Sequence, residues 1–155
     1  MTEKIDEATT VENTPPGENT SEQIRSTHLS ARPDALPGST YKIVWPASPH
    51  ATYVTISDIL ENGQRRPFEI FINSKNMEHY AWTVALTRMV SAVFRRGGDI
   101  TFVADELKAI FDPRGGEWIG GQYVPSLLAA IGGVIERHIT AIADDAILDS
   151  TTEHS

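Results

Sequence analysis

The sequence predicts an α+β domain in which a small antiparallel meander of three strands packs against about three helices. Two observations predict this class. β-prone stretches come first in the chain and helix-period stretches follow them, with no alternation between the two. Between two of the β-prone stretches lies Asn62-Gly63, the dipeptide best suited to the positive φ angles of a tight hairpin turn.

Three β-prone stretches supply the meander. Residues 41–45 form a short stretch that ends at Pro46, and residues 52–59 and 67–72 are rich in β-branched and aromatic side chains. In the third stretch one apolar set alternates with a mixed set, namely Phe68, Ile70 and Ile72 with Glu69, Phe71 and Asn73. This alternation predicts one well-buried sheet face and one that is only partly covered.

The sequence period becomes helical from Met77 onward. An apolar stripe recurs at three- and four-residue spacing and consists of Trp82, Ala85, Leu86, Met89, Val90, Val93 and Phe94. Arg95 and Arg96 fall in the last turn, where cations complement the carbonyl end of the helix dipole. The pair Gly97-Gly98 ends this helix.

Two further helices are predicted, separated by a loop that contains Gly120-Gly121. Asp99 is placed to cap the second helix, whose apolar residues are Ile100, Val103, Leu107, Ile110 and Phe111. Pro125 opens the third helix, whose apolar side is Leu127, Leu128, Ile131, Ile135, His138 and Ile139. Gly132-Gly133 inside it costs about 1 kcal/mol per glycine relative to alanine, which close approach of another backbone would offset.

The acidity of the chain is confined to its ends. Within the net charge of -8, residues 1–39 carry 7 acidic and 3 basic side chains, residues 40–139 carry 10 of each, and residues 140–155 carry 4 acidic and none basic. We therefore expect a disordered acidic N-terminal arm at residues 1–39, a folded domain at residues 40–140 and an acidic flexible C-terminal tail at residues 141–155.

The composition argues against several classes of function. A neutral body with acidic ends lacks the basic excess that phosphate binding needs, so we expect no nucleic-acid partner. No stretch has the apolar length of a membrane span or the pattern of a signal peptide, which predicts a cytoplasmic protein without a membrane partner. The chain has no cysteine, which excludes disulfides, thiolate metal sites and thiol nucleophiles.

The remaining polar residues match no catalytic or metal-binding pattern. The five histidines show no close pairing along the chain, so no metal site is predicted. His138 is interpreted as a half-buried packing residue and His79 as an exposed residue at a helix start. Asp105 and Glu106 point about 100° apart on one helix and do not converge as acid/base catalysis requires. No catalytic residue is assigned.

The glycine-rich loop at residues 113–121 is the best candidate for a contact surface. It contains no phosphate-binding glycine motif, and it combines an arginine, a tryptophan and flexible backbone, a composition that suits contact with a partner or ligand. The residues predicted to make such contacts are Arg95, Arg96, Arg114, Trp118 and Tyr123.

Three stretches, in their order and spacing, resemble a known family. They are residues 53–72, residues 85–91 and residues 106–110, and the most specific element is Arg-Pro-Phe-Glu-Ile-Phe-Ile at residues 66–72. Together they resemble the TSCPD domain, named for its Thr-Ser-Cys-Pro-Asp signature. This domain is found at the C-terminus of adenosylcobalamin-dependent (class II) ribonucleotide reductases and as small stand-alone proteins.

The chain departs from the signature of that family at its thiols. Pro125 is kept, Val124 replaces the cysteine, Ser126 replaces the aspartate, and a second family cysteine falls on Asp112. Ribose reduction by these enzymes needs a thiyl radical, a cysteine pair and a large barrel. The resemblance therefore implies an auxiliary domain without reductase chemistry of its own, and no cofactor is expected in this chain, since adenosylcobalamin would belong to a catalytic partner.

The sequence leaves more than one function open. The leading hypothesis is an interaction module in deoxyribonucleotide synthesis that docks on a ribonucleotide reductase catalytic chain, or another protein, through a rim of Arg95, Arg96, Arg114 and Trp118. The alternative is a regulatory domain that binds a nucleotide or another small ligand with the second sheet face and the loop at residues 113–121. A third hypothesis is an enzyme whose active site matches no recognised sequence pattern.

Overall fold

The structure, a computed structural model, describes residues 31–152 of the chain. Its strands and helices, in chain order, are β1 Gly38–Ile43, β2 Thr52–Glu61, β3 Gln64–Ser74, α1 Tyr80–Arg96, α2 Thr101–Lys108, β4 Glu117–Ile119, β5 Gln122–Val124 and α3 Leu127–Thr152. A 3-10 turn at Met77–His79 leads into α1. Residues 1–30 of the expected N-terminal arm and residues 153–155 of the expected tail lie outside the described residues.

The three long strands form one antiparallel sheet in the order β1-β2-β3, and β4 and β5 form a separate hairpin. The turn between β2 and β3 is Asn62-Gly63, with φ values of 53° and 76°. Such positive φ angles match the twist of the flanking strands, and Asn and Gly adopt them most readily. The predicted α+β class, a three-stranded meander packed against three helices, is confirmed.

One face of the sheet carries the hydrophobic core. Val54 and Ile56 of β2 and Ile70 of β3 are completely buried there, in one cluster with Phe94 of α1 and Ile131 of α3. Burying a side chain of this size contributes about 1.5–3 kcal/mol relative to leaving it in water. Because α2 also contributes buried residues to this cluster, the sheet and all three helices share one core.

The predicted alternation along β3 holds, with one exception. Ile72 is buried, whereas Phe71 on the opposite face is 45% exposed. Glu69 also belongs to the outer set but is only 1% exposed. Arg32, from the segment before β1, donates two hydrogen bonds to its carboxylate at 3.0 and 2.9 Å. Part of the expected flexible arm, residues 31–37, therefore reaches across to the sheet.

The outer edge of β3 is covered by hydroxyl groups of α1. Ser91 Oγ accepts a hydrogen bond from the Ile70 N–H at 3.0 Å and donates one to the Ile70 C=O at 3.2 Å. Thr87 Oγ1 accepts from the Ile72 N–H at 3.2 Å. These bonds satisfy backbone groups that a sheet edge otherwise leaves unpaired. Because hydroxyl residues face the sheet, Met89, which is 67% exposed, and Ala85 lie on the solvent side of α1, and their predicted place in the apolar stripe is wrong.

α2 begins where the sequence predicts and ends early. Asp99 Oδ1 accepts hydrogen bonds from the Thr101 hydroxyl at 2.6 Å and the Thr101 N–H at 2.9 Å, so Asp99 stabilises the start of the helix from the position before its N-cap residue, Ile100, whose side chain makes no capping bond. These bonds hold the pKa of Asp99 below its ordinary value. The helix ends at Lys108, so Ile110 and Phe111, expected on its apolar side, lie beyond it and are exposed.

α2 and α3 approach each other closely at Gly132. A Cβ added there would lie 2.8 Å from the Ala104 carbonyl oxygen and 3.0 Å from the Lys108 backbone nitrogen. The predicted close backbone approach is therefore confirmed for this glycine. It is wrong for Gly133, where an added Cβ would meet nothing within 4 Å.

Two segments are more regular than the sequence predicts. Residues 117–124, expected to be loop, form the β4–β5 hairpin because Gly120 and Gly121 adopt φ values of 59° and 79° and complete a two-residue turn. α3 continues to Thr152, so residues 141–152 of the expected flexible tail are helical. This stretch contains neither glycine nor proline, and nothing in it interrupts a helix.

Candidate functional site

A groove of about 700 Å³ lies between the β4–β5 hairpin, the end of β1 and the first half of α3. We name it the hairpin groove. Its apolar lining includes Ile43, Val44, Ile119, Val124, Ala129 and Ala130, and its charged residues are Lys42, Lys108, Glu136 and Arg137. Because these elements come from distant parts of the chain, only the tertiary fold assembles this groove.

The hairpin is held against the body by the turn that precedes it. The Gly116 N–H donates to Tyr123 Oη at 3.0 Å, and the Asp112 N–H donates to the Pro125 C=O at 2.9 Å. A Cβ on Gly116 would collide with the Val124 carbonyl oxygen, so this position requires glycine. The wall of the groove is therefore fixed by backbone contacts.

The charged residues of the groove are unbalanced. Lys108 Nζ lies 2.7 Å from Glu136 Oε1, so the acidic residue of the groove already has a counter-charge. The side chains of Lys42 and Arg137 make no hydrogen bond or ion pair within residues 31–152. Two cations without counter-charges give the groove a positive potential, although the chain as a whole has a net charge of -8.

Two of the predicted contact residues, Trp118 and Tyr123, lie on this hairpin. They pair across β4 and β5, with their ring centroids 5.8 Å apart. Trp118 is 71% exposed and Tyr123 is 54% exposed. Exposed aromatic side chains beside an apolar groove are typical anchors for a binding partner.

A third predicted contact residue, Arg114, is bound within its own turn. Its Nε and Nη2 atoms donate to the Asp112 carboxylate at 3.3 and 3.2 Å. These hydrogen bonds hold the pKa of Asp112 below its ordinary value. Glu78 and His79 are near enough to act on this pair electrostatically, which places the pair beside the start of α1.

The other two predicted contact residues, Arg95 and Arg96, lie at the far end of α1. At 1.5 Å of rise per residue, that end is roughly 24 Å from His79. Arg95 Nη2 lies 3.5 Å from Glu69 Oε2, and its guanidinium carbon is 5.5 Å from the centre of the Phe68 ring. The structure therefore does not bring the four residues of the predicted rim together, and of the five predicted contact residues Trp118 and Tyr123 lie on the hairpin.

Sequence reasoning missed Lys42 and Arg137, the two cations that give the groove its charge. They lie on β1 and α3, at opposite ends of the folded domain in sequence. Each is an exposed single charge with no motif around it. No local signal could have paired them, since their proximity depends on how α3 packs across the sheet.

A second polar cluster lies inside the domain. His138 Nδ1 is 2.8 Å from Tyr41 Oη, and His138 Nε2 is 2.7 Å from Asp58 Oδ1. Arg65 Nε and Nη2 donate to Asp58 Oδ2 at 2.9 and 2.8 Å. We name these four residues the interior polar chain. His138 is 2% exposed, so it is buried rather than half-buried as expected.

The interior polar chain connects α3 to the sheet and is closed to solvent at its centre. Asp58 is completely buried, and neither it nor His138 lines the hairpin groove. Each oxygen of Asp58 and each ring nitrogen of His138 already has a hydrogen-bond partner. These hydrogen bonds therefore satisfy the buried polar atoms of Asp58 and His138, as a folded core requires.

The remaining histidines form no metal site in the described part of the chain. No group of three or more histidine, aspartate or glutamate side chains there is placed to hold a metal ion. His79 Nδ1 accepts a hydrogen bond from Trp82 Nε1 at 3.0 Å. His28 and His154 lie outside the described residues.

Among the helices of residues 31–152, none has the length and apolar character to cross a membrane.

The fold and the groove define a small α+β domain with an open, positively charged groove and no thiol. The chain belongs to the TSCPD domain family, whose model matches residues 23–139, about three quarters of its length. The TSCPD domain is a module associated with ribonucleotide reductases. No curated protein and no solved structure matches the chain.

The two positions that the resemblance aligns with family cysteines are neighbours in space. The hydrogen bond from the Asp112 N–H to the Pro125 C=O places residue 112 beside Val124. Ser126, which stands in place of the signature aspartate, accepts the Ala129 N–H at 2.9 Å and so caps α3. At the two positions aligned with cysteines, this chain has a carboxylate that binds Arg114 and an apolar side chain that lines the hairpin groove.

Proposed function

We propose that this protein is a docking module for ribonucleotide reductase in deoxyribonucleotide synthesis, and that its hairpin groove binds an acidic segment of a reductase catalytic chain. The observation that carries the proposal is the pair of cations, Lys42 and Arg137, at an apolar groove that gives them no counter-charge among the described residues. Membership of the TSCPD domain family supports the choice of pathway.

The chemistry of the groove selects a segment with both apolar and acidic residues. The apolar lining at Ile43 and Val124 would remove water from an apolar anchor, and Tyr123, which also lines the groove, would extend that contact. Carboxylates on the same segment would pair with Lys42 and Arg137. Such pairs raise the association rate and fix the register, and salt screens them.

A docking role requires no thiol chemistry from this chain. The sequence contains no cysteine, so it supplies neither a thiyl radical nor the cysteine pair that becomes a disulfide during ribose reduction. Those groups, and adenosylcobalamin where the reductase uses it, would be contributed by the catalytic chain.

Affinity capture from the source cell at low salt tests the proposal. The wild-type protein is immobilised beside a Lys42→Glu, Arg137→Glu variant, and bound proteins are identified by mass spectrometry. The matched control is Lys75→Glu, which reverses an exposed cation without a partner in the described range and outside the groove. We expect the wild type and the control to recover a reductase chain and the groove variant to lose it.

Two results would contradict the proposal. If the wild type captures no reductase chain at low salt, the proposed partner is wrong. If the groove variant captures as much reductase chain as the wild type, the partner is right but the hairpin groove is not its binding site. Circular dichroism of each variant separates loss of binding from loss of folding.

The alternative function, nucleotide binding, is favoured by one observation. Tyr123 lines the hairpin groove together with Lys42 and Arg137 and contacts the Trp118 ring, and an aromatic surface with nearby positive charge can hold a base and a phosphate. Thermal unfolding with a panel of nucleotides discriminates the two functions. A ligand that binds the native state raises the unfolding midpoint by mass action, and we expect no shift if the groove binds only protein.

A further inference from the structure

The outward side of α1 is apolar although it faces solvent. Its exposed residues are Ala81, Val84, Ala85, Arg88, Met89 and Ala92, and we name them the outward α1 face. Met89 is 67% exposed and Val84 is 39% exposed. A helix on a protein surface normally turns polar residues outward, so this face has the character of a contact surface.

The charge of α1 is entirely positive. The helix contains three arginines and no acidic residue. Arg95 is engaged by Glu69, whereas Arg88 and Arg96 have no counter-charge within the described part of the chain. A partner for the outward α1 face therefore needs apolar side chains together with negative charge.

The last part of α3 has that chemistry. Residues 141–152, which we name the α3 end, carry Asp144, Asp145 and Asp149 and no basic residue. Ile147 and Leu148 in this segment are 64% and 65% exposed. The α3 end is thus an exposed helix that combines apolar residues with three aspartates, of which Asp145 lies 3.5 Å from Arg65 while Asp144 and Asp149 have no ion pair within residues 31–152.

We propose that two copies of this chain associate by exchange, with the α3 end of each copy packed on the outward α1 face of the other. The signs of charge are complementary, since Arg88 on the outward α1 face and Arg96 beyond its end lack counter-charges among the described residues, and the charged residues of the α3 end are all aspartates. The lengths also match. The α3 end and the segment from Ala81 to Ala92 on α1 each contain 12 helical residues and each span about 18 Å.

Symmetry explains how such a contact closes. The two surfaces are different patches of one chain, so a single contact between copies is heterologous and would continue into an open assembly. When each copy gives its α3 end to the other, the two contacts are related by a two-fold axis and the assembly stops at a dimer. The reciprocal contact also doubles the area buried.

Another concave surface is available to the α3 end but has the wrong charge. A groove of about 820 Å³, here named the corner groove, lies between the β2–β3 turn, the last residues of α1 and the α3 end itself. It is lined by Asp99, Asp145 and Asp149, and its two arginines, Arg65 and Arg66, already bind carboxylates. Three more aspartates from a second copy would meet net repulsion there.

Charge reversal with full-length protein tests the exchange. One variant carries Arg88→Glu and Arg96→Glu, and the other carries Asp144→Lys and Asp149→Lys, while Asp145 is kept because it lies 3.5 Å from Arg65. Sedimentation velocity at low salt measures association over a wide range of concentration. We expect a wild-type dimer and, for each variant alone, a dissociation constant at least about tenfold higher.

The mixture of the two variants is the diagnostic sample. In the mixed dimer, reversed α1 meets a reversed α3 end and wild-type α1 meets a wild-type α3 end, so both contacts regain opposite charges. We expect the mixture to associate with nearly wild-type affinity. A purely structural effect of either set of substitutions would not be rescued by mixing.

Three outcomes would overturn the exchange. The first is a wild type that remains monomeric at every concentration. The second is a mixture that associates no better than its separate components. The third is dissociation of the dimer by Lys42→Glu with Arg137→Glu and not by the α1 variant, which would place the α3 end in the hairpin groove instead.

Discussion

The interior polar chain and the hairpin groove use the same kinds of charged side chain in opposite ways. Inside the domain, Asp58 meets His138 and Arg65 at 2.7 to 2.9 Å, and its carboxylate has no exposed surface. In the groove, Lys42 and Arg137 are charged and have no counter-charge among the described residues. The first arrangement completes its own contacts, and the second leaves contacts for another molecule to complete.

This difference separates stability from binding. Removing one member of a buried, satisfied cluster leaves its partners without contacts in a poorly solvated place, which is costly. Removing a solvated cation that has no partner costs the fold little, because no native contact is lost. Substitutions in the two regions should therefore change different measurements.

The largest effect is expected from Asp58→Ala. The substitution removes the carboxylate that binds His138 and the Arg65 guanidinium. We expect the free energy of unfolding to fall by about 3 kcal/mol. Urea unfolding followed by circular dichroism measures the change. Lys42→Ala is the matched control at the groove, with an expected change below about 0.5 kcal/mol. Equal losses in the free energy of unfolding for the two variants would contradict the proposed difference between the interior polar chain and the hairpin groove.

Two adjacent glycines on α3 sharpen the comparison, because one faces the interior and the other lines the groove. Gly132→Ala places a methyl group 2.8 Å from the Ala104 carbonyl oxygen, and we expect a loss of about 1–3 kcal/mol from overpacking. Gly133→Ala meets no atom within 4 Å, and the better helix propensity of alanine should stabilise the protein by up to about 1 kcal/mol. Denaturant midpoints of the two variants should move in opposite directions, and a shared direction would contradict the packing assigned to α3.

The smallest effect concerns the cap of α2. Hydrogen bonds from Thr101 lower the pKa of Asp99 in the folded protein, so the ionised cap stabilises the fold at pH values above the ordinary aspartate pKa. This contribution is lost as the pH falls through the lowered folded value. We expect Asp99→Asn to remove that part of the acid sensitivity, measured by urea unfolding at neutral and acidic pH. Asp105→Asn on the same helix is the control, and identical acid profiles for both variants would contradict the role of the cap.

Local signals in the sequence were sufficient for most of the fold. The Asn62-Gly63 turn, the Asp99 cap and the alternation in β3 each depend on residues close together in the chain, and the structure has all three. For the glycine pair on α3, the sequence predicts that another backbone can approach closely. Which of the two glycines is approached depends on the position of α2, and it is Gly132.

The rest depends on tertiary contacts that no local pattern contains. Met89 fits a helical stripe predicted to face the core, but Thr87 and Ser91 hydroxyls bind the sheet edge, so Met89 and Ala85 lie on the exposed side while Val90 and Phe94 stay buried. The groove brings together Lys42 and Arg137, which are far apart in sequence. The pair Gly120-Gly121 is a local signal for the turn of the hairpin that carries Trp118 and Tyr123. No local signal predicts that this hairpin lies beside β1.

Site-specific photo-cross-linking in the source cell tests the central claim most directly. A photoreactive phenylalanine analogue is placed at position 118 on the hairpin or, as the control, at position 102 on α2, where Phe102 is 51% exposed. Adducts are identified by mass spectrometry. We expect a reductase catalytic chain cross-linked from position 118 and not from position 102. No reductase adduct from position 118, or an equal yield from both positions, would contradict the assignment of the hairpin groove as the docking site.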